Sequence, residues 1–237
     1  MNVYELKTIG DTVRGNSYVG RGIVVGKSKN GKAVAAYFIM GRSNNSRNRI
    51  FTEKNGEVFT EPFDASKVED PSLIIYAAIR RYNDKLIVTN GDQTDTIYDG
   101  LKDGKCFAAA LKTRCFEPDA PNYTPRISAM LCLSEPFSYK MSILKSADEK
   151  GTACNRYTFD YESVGGVGHF IHTYVTDGNP LPTFTGEPER VIIPDSIDEF
   201  TSDLWNSLDK DNKISLYVRY IDLATGKEEN RLINKNK

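Results

Sequence analysis

With 237 residues, 39% of them hydrophobic and 27% charged, the chain can bury a substantial core as a single domain over residues 1–237. Its 31 Lys plus Arg balance 32 Asp plus Glu, so no global positive field would draw it to nucleic acid or to an anionic membrane. No stretch reaches the roughly 20 apolar residues that span a bilayer, and residues 1–7 hold no apolar signal core, so the cytoplasm is the expected location.

Strand signals dominate the chain. Residues 22–26 and 33–40 flank a segment whose Asn30-Gly31 is a strong hairpin signal, and the near-continuous apolarity of 33–40 predicts burial on both faces. Asp70-Pro71 offers an N-cap and a proline at the first helical position, which predicts a helix over residues 72–82. After a further turn comes a strand at 85–89. Residues 104–114, Ala-rich in the middle, predict a second helix. Phe137, Tyr139, Met141 and Ile143 alternate with polar residues, as do Ile214, Leu216, Val218 and Tyr220; both runs have the period of a half-buried antiparallel strand. Residues 177–188 read as a long loop. Ser196 and Glu199 form a capping-box signature ahead of Phe200, Leu204 and Leu208 at helical spacing. Many antiparallel strands with few helices indicate an α+β fold.

The four cysteines (Cys106, Cys115, Cys132, Cys154) contain no C-x-x-C pair, so they are expected to be reduced thiols filling the core. His169 and His172 would share one face of a helix, but their β-branched and aromatic neighbours favour a strand, which sends them to opposite faces. No metal and no cofactor is therefore expected. Neither G-x-G-x-x-G nor G-x-x-x-x-G-K-[ST] is present, which argues against dinucleotide and P-loop chemistry.

Directly behind the second strand, residues 41–49 gather Arg42, Arg47 and Arg49 among Ser43, Asn44, Asn45, Ser46 and Asn48. Guanidinium forks match carboxylate and phosphate oxygens two at a time, and Asn and Ser add donors and acceptors without bulk. A solvated turn has the same composition. The segment from Thr89 through Asn90, Gly91, Asp92, Thr94 and Asp95 to Thr96 reads as a polar loop at a strand end, able to grip a polar ligand or simply to turn. Three prolines pin the loop from Glu117 to Arg126 and hold its charges in place. On the predicted first helix, Tyr76 lies one turn before Arg80, a phenol beside a cation or else an ordinary core tyrosine.

These segments together resemble the archaeal-type IMP cyclohydrolase family, including its bacterial members. The resemblance runs through Tyr18-Val19-Gly20-Arg21-Gly22, Arg42-Ser43 to Asn48-Arg49, Tyr76-Ala77-Ala78-Ile79-Arg80, residues 90–97, Thr124-Pro125-Arg126-Ile127 and Ile171-His172-Thr173-Tyr174. It implies a four-layer αββα sandwich like that of the N-terminal-nucleophile hydrolases, with largely antiparallel sheets but no nucleophile, in keeping with Asn2 after Met1. It implies ring closure of formyl-AICAR to IMP with loss of water, the last step of de novo purine synthesis. Arg49, Tyr76 and Glu117 match catalytic positions, Glu117 with a spacing to Thr-Pro-Arg that differs by one residue. Arg21, Arg42, Ser43, Asn48, Asn90, Gly91, Asp92, Thr94, Asp95, Thr124, Arg126 and Thr173 are the expected substrate-binding residues. The expected partner is a purine ribotide; a homo-oligomer is left open. A non-catalytic purine-nucleotide-binding protein and an N-terminal-nucleophile amidase, the latter disfavoured by Asn2, are the competing readings.

Overall fold

The computed structural model describes residues 2, 4–68 and 75–236. The Asn30-Gly31 turn closes a hairpin between β1 (Arg21–Lys27) and β2 (Lys32–Met40), with Gly31 at a φ of 85°. That positive φ is open to glycine at no steric cost. The hairpin forms the middle of a six-stranded sheet. Its full order is β11 (Glu189–Ile192), β10 (Val167–His172), β1, β2, β12 (Lys213–Asp222), β13 (Glu228–Asn234), every neighbour antiparallel.

A second sheet of seven strands runs in chain order. It holds β3 (Ile50–Lys54), β4 (Glu57–Glu61), β5 (Tyr76–Tyr82), β6 (Lys85–Thr89), β7 (Arg126–Cys132), β8 (Ser138–Ser146) and β9 (Cys154–Glu162), again antiparallel throughout. The two sheets face each other across the largest apolar cluster, which takes Ile23, Tyr37 and Tyr217 from one and Tyr76, Val88 and Met141 from the other. Outside the first sheet, α1 (Ile9–Val13) and α5 (Ile197–Ser207) cover a second cluster. Outside the other, α3 (Gln93–Lys102) and α4 (Phe107–Leu111) cover a third. The chain is thus α+β, with sheets on sheets and helices on the outer faces. Among the described residues no helix is long and apolar enough to cross a membrane.

Several elements depart from the sequence reading. Residues 76–82 are the strand β5 and not a helix, because β4 and β6 supply backbone partners on both sides and Tyr82 pairs with Lys85 across a tight turn at Asn83. Tertiary pairing here overrides helix propensity. The proposed cap at Asp70-Pro71 lies outside the described residues. The polar segment read as a loop over 89–96 becomes helical at Gln93, and the helix expected over 104–114 shrinks to α4. β12 is buried on both faces, not half-buried, because α5 covers its outer side. The cysteines do not fill the core: Cys106 and Cys115 are exposed, and Cys132 and Cys154 only partly buried.

Candidate active site

Where the N-terminal ends of β1 and β3 meet the loop before β7, a cavity of about 410 Å³ opens between the sheets. That volume suits a nucleotide-sized ligand. Arg21 begins β1 and pairs with Ile39 of β2, which turns its side chain inward. Thr173 fixes this strand end by accepting a hydrogen bond from Arg21 N (3.1 Å) and donating to Val19 O (3.2 Å). Gly20 makes the approach possible: a Cβ there would stand 2.2 Å from Thr173 Oγ1.

The arginine-rich segment splits into a structural part and a part facing the cavity. Ser43 caps the single turn α2 (Asn44–Arg47) by accepting from Ser46 N. Arg47 is spent on Gly41 O and Asn212 Oδ1. Asn48 is spent on both backbone groups of Asp64. Arg42 lies at the rim, paired with Asp177 and Gly178 O, its guanidinium 5.1 Å above the Tyr18 ring. Arg49 is left in the cavity wall, 6% exposed. The Nε atoms of Arg21 and Arg49 are both buried with no partner among the described residues. Two adjacent guanidiniums that each keep a buried Nε unpaired are costly unless an anion joins them.

Glu117 stands on the same floor, 5% exposed. Burial pushes its carboxyl above the usual carboxylate range, while Arg21, Arg126 and Arg49 hold the rise in check. Burial, and then the Arg21 charge, pull Arg49 down from the usual guanidinium range. The loop is braced from behind. Asn90 donates to Pro125 O and accepts from Ile127 N, and Arg126 donates to Asp92 (2.7 Å) and Gln93 (2.8 Å). Gly91 lies where a Cβ would be 2.6 Å from Arg126 Nη1.

Tyr76 sits behind the arginines. Its hydroxyl is 2.8 Å from that of Tyr37, on β2 of the opposite sheet. The expected pairing of Tyr76 with Arg80 does not occur. A bulge between Val58 and Phe59 in the β4–β5 ladder breaks the alternation, so Tyr76 faces the core while Arg80 faces outward. Arg80 there holds Glu57 and Asp95 and covers the Tyr98 ring at 3.9 Å. The cations facing Tyr76 are Arg21 and Arg49.

Of the expected site residues, Arg21, Arg42, Ser43, Arg49, Glu117 and Thr124 line the cavity. Asn48, Asn90, Gly91, Asp92, Thr94, Arg126 and Thr173 buttress its walls or hold neighbouring backbone, and Asp95 lies on the outer face with Arg80. The sequence reading left out Tyr18, Asn45, Asp119, Asn122 and Tyr174, which also line the cavity. Asp119 and Asn122 stand inside the proline-pinned loop, and Tyr18 and Tyr174 end matched segments, so a signal was present for each. Tyr37 had none, since it reads as one more apolar position in a buried strand. Thr124 Oγ1 bonds both the Asp119 carboxylate and the Tyr174 hydroxyl (2.5 Å for the latter). A carboxylate only accepts, so Thr124 donates to Asp119 and Tyr174 donates to Thr124. The two histidines are on opposite faces: His169 bonds Tyr139 between the sheets, and His172 bonds Tyr174 O and Glu189 outside.

An inward-facing, arginine-lined cavity lies between antiparallel sheets, with a buried carboxyl and phenol beside it, and its chemistry suits an anionic polar ligand. The chain matches the family model of IMP cyclohydrolase-like proteins over residues 18–227, and it belongs to that family. It is 39% identical over 119 residues to an IMP cyclohydrolase of Methanothrix thermoacetophila, covering 48% of this chain and 57% of that protein. The IMP cyclohydrolases of Methanopyrus kandleri and Methanocaldococcus jannaschii are each 36% identical, over 114 and 115 residues, 57% and 56% of their lengths. The matched region therefore spans under three fifths of these curated relatives.

Proposed function

We propose that this protein is an IMP cyclohydrolase, closing formyl-AICAR to IMP as one domain over residues 1–237, in the cytoplasm and without metal or cofactor. The observation that carries this reading is the pair of buried guanidiniums of Arg21 and Arg49, each with an Nε unpartnered among the described residues, beside the buried carboxyl of Glu117. The sandwich of helices on facing sheets is read as the fold of the N-terminal-nucleophile hydrolases, serving here without a nucleophile.

In the reaction the carboxamide nitrogen forms a bond to the formyl carbon. The formyl oxygen then departs as water, carrying one proton from the carboxamide nitrogen and one from the formamido nitrogen. An amide is a poor nucleophile, so a group that takes its proton helps, and the Tyr76 hydroxyl fills that role as a shuttle, giving its own proton to the formyl oxygen and regaining one from the carboxamide nitrogen. The formyl oxygen gathers charge before it leaves. Arg49 stabilises that charge, and Glu117, its carboxyl raised above the usual range by burial, donates to the departing oxygen. Arg21, with Arg42 and Ser43 at the rim, holds the ribotide. Because the reacting arms belong to one molecule, holding them face to face provides much of the acceleration.

Incubation of the purified protein with formyl-AICAR should produce IMP, followed by its ultraviolet absorbance. Binding of the ribotide without turnover would instead define a nucleotide-binding module, and release of ammonia from an amide substrate would define an amidase.

A further inference from the structure

Tyr37 is fully buried on β2, between the sheets, with its ring packed against Phe51 at 5.3 Å between centroids. No motif in the sequence singles it out. Its hydroxyl meets that of Tyr76 at 2.8 Å, a bond that crosses from one sheet to the other. Resting on the cyclohydrolase reading, we propose that Tyr37 is a positioning residue: its O–H donates to the Tyr76 oxygen and so turns the Tyr76 proton toward the cavity.

The direction of this bond follows from the surroundings. The groups facing the pair are Arg21 from β1 and Arg49 from the start of β3, with Glu117 beyond them from the loop before β7. Burial, and then the neighbouring Tyr76, push Tyr37 well above the usual phenol range, so it stays protonated throughout the working pH. With the bond reversed, the Tyr76 proton would point into the core, away from any substrate. With Tyr37 donating, the proton is aimed outward, and the charge left on Tyr76 after transfer is met by a preset donor and two guanidiniums.

Tyr37→Phe keeps the ring and removes this donor. The expected result is a kcat lowered about 10-fold, the size of one lost hydrogen bond, with KM unchanged. In a Tyr76→Phe background the same substitution should cost nothing further, because Tyr37 acts only through Tyr76. Phenol difference absorbance supplies a reading independent of turnover. The transition absent from Tyr76→Phe should move to higher pH in Tyr37→Phe. 3-Fluorotyrosine at position 37, which retains the hydroxyl, should restore kcat. Equal loss in both backgrounds, or unchanged kcat with an unmoved Tyr76 transition, overturns the proposal. If the wild-type protein forms no IMP, the cyclohydrolase reading fails by itself, and the absorbance titration alone decides the coupling of the two phenols.

Discussion

Arg47 and Arg49 stand two residues apart and do unlike work, since the first is saturated by Gly41 O and Asn212 while the second keeps a buried, unpartnered Nε. Arg49→Lys preserves charge but not the fork, so kcat/KM for the ribotide should fall about 10-fold, with Arg47→Lys as a control of unchanged kcat/KM in steady-state assays. Tyr76→Phe should lower kcat by about 10²–10⁴-fold, the usual share of general acid–base catalysis, with little change in KM. The same variant loses its bond to Tyr37, so its melting midpoint should fall by an amount equivalent to about 0.5–1.5 kcal/mol. Wild-type turnover in that variant sinks the proton shuttle. His169 makes a prediction about pH. Burial, then the Arg190 charge, hold its imidazole down at about 4. The unfolded chain therefore binds this proton near its ordinary value of 6.5 while the folded chain refuses it, so stability present above pH 6.5 is lost as pH falls toward 4. Urea midpoints at pH 7 and 4.5 should drop further for the wild type than for His169→Gln.

Elements were legible where a local signal and the tertiary environment agree. The β1–β2 hairpin has its Asn-Gly turn, and α5 has its cap, with Ser196 Oγ accepting from Glu199 N. Ser196→Ala should lower stability by about 1 kcal/mol, measured by denaturant titration, because that donor goes back to being unsatisfied. β5 was illegible for a physical reason. Tyr76-Ala77-Ala78-Ile79-Arg80 has the composition of a helix, and only the hydrogen-bonding edges of β4 and β6 make it a strand. α3 was hidden in the opposite sense. Its first turn is polar and its N-cap, Asp92, makes no side-chain cap bond, its carboxylate going to Arg114 and Arg126 instead. The same two departures shape the site. A strand carries Tyr76 across from Tyr37, and the start of α3 braces Arg126 behind Glu117.

On the scale of the molecule, the two sheets are joined by polar links as well as by their apolar faces. Arg219 of β12 is 2% exposed on its side chain and donates to Glu53 of β3 and to Gly56 O, and the Tyr217 hydroxyl also donates to Glu53. Glu53→Ala strands a buried guanidinium, and stability should fall by roughly 3 kcal/mol, near the lower end for a broken buried pair because Glu228 still faces Arg219 at 3.6 Å. An unchanged chemical-denaturation curve would show that the pair contributes nothing to holding the sheets together. The sequence by itself determined the α+β class, the strand-rich core, the basic segment at 41–49, the pinned loop at 117–126 and the resemblance to a family. Each of these is written in a local pattern of apolar period, turn residues and charge. Which arginines are free, that Tyr76 meets Tyr37 and not Arg80, and that Asp119, Asn122 and Tyr174 share a wall with Glu117 were decided only by tertiary structure. A hydrogen bond between sheets, or a bulge that flips a side chain from one face to the other, depends on partners far away along the chain, and no local period records them.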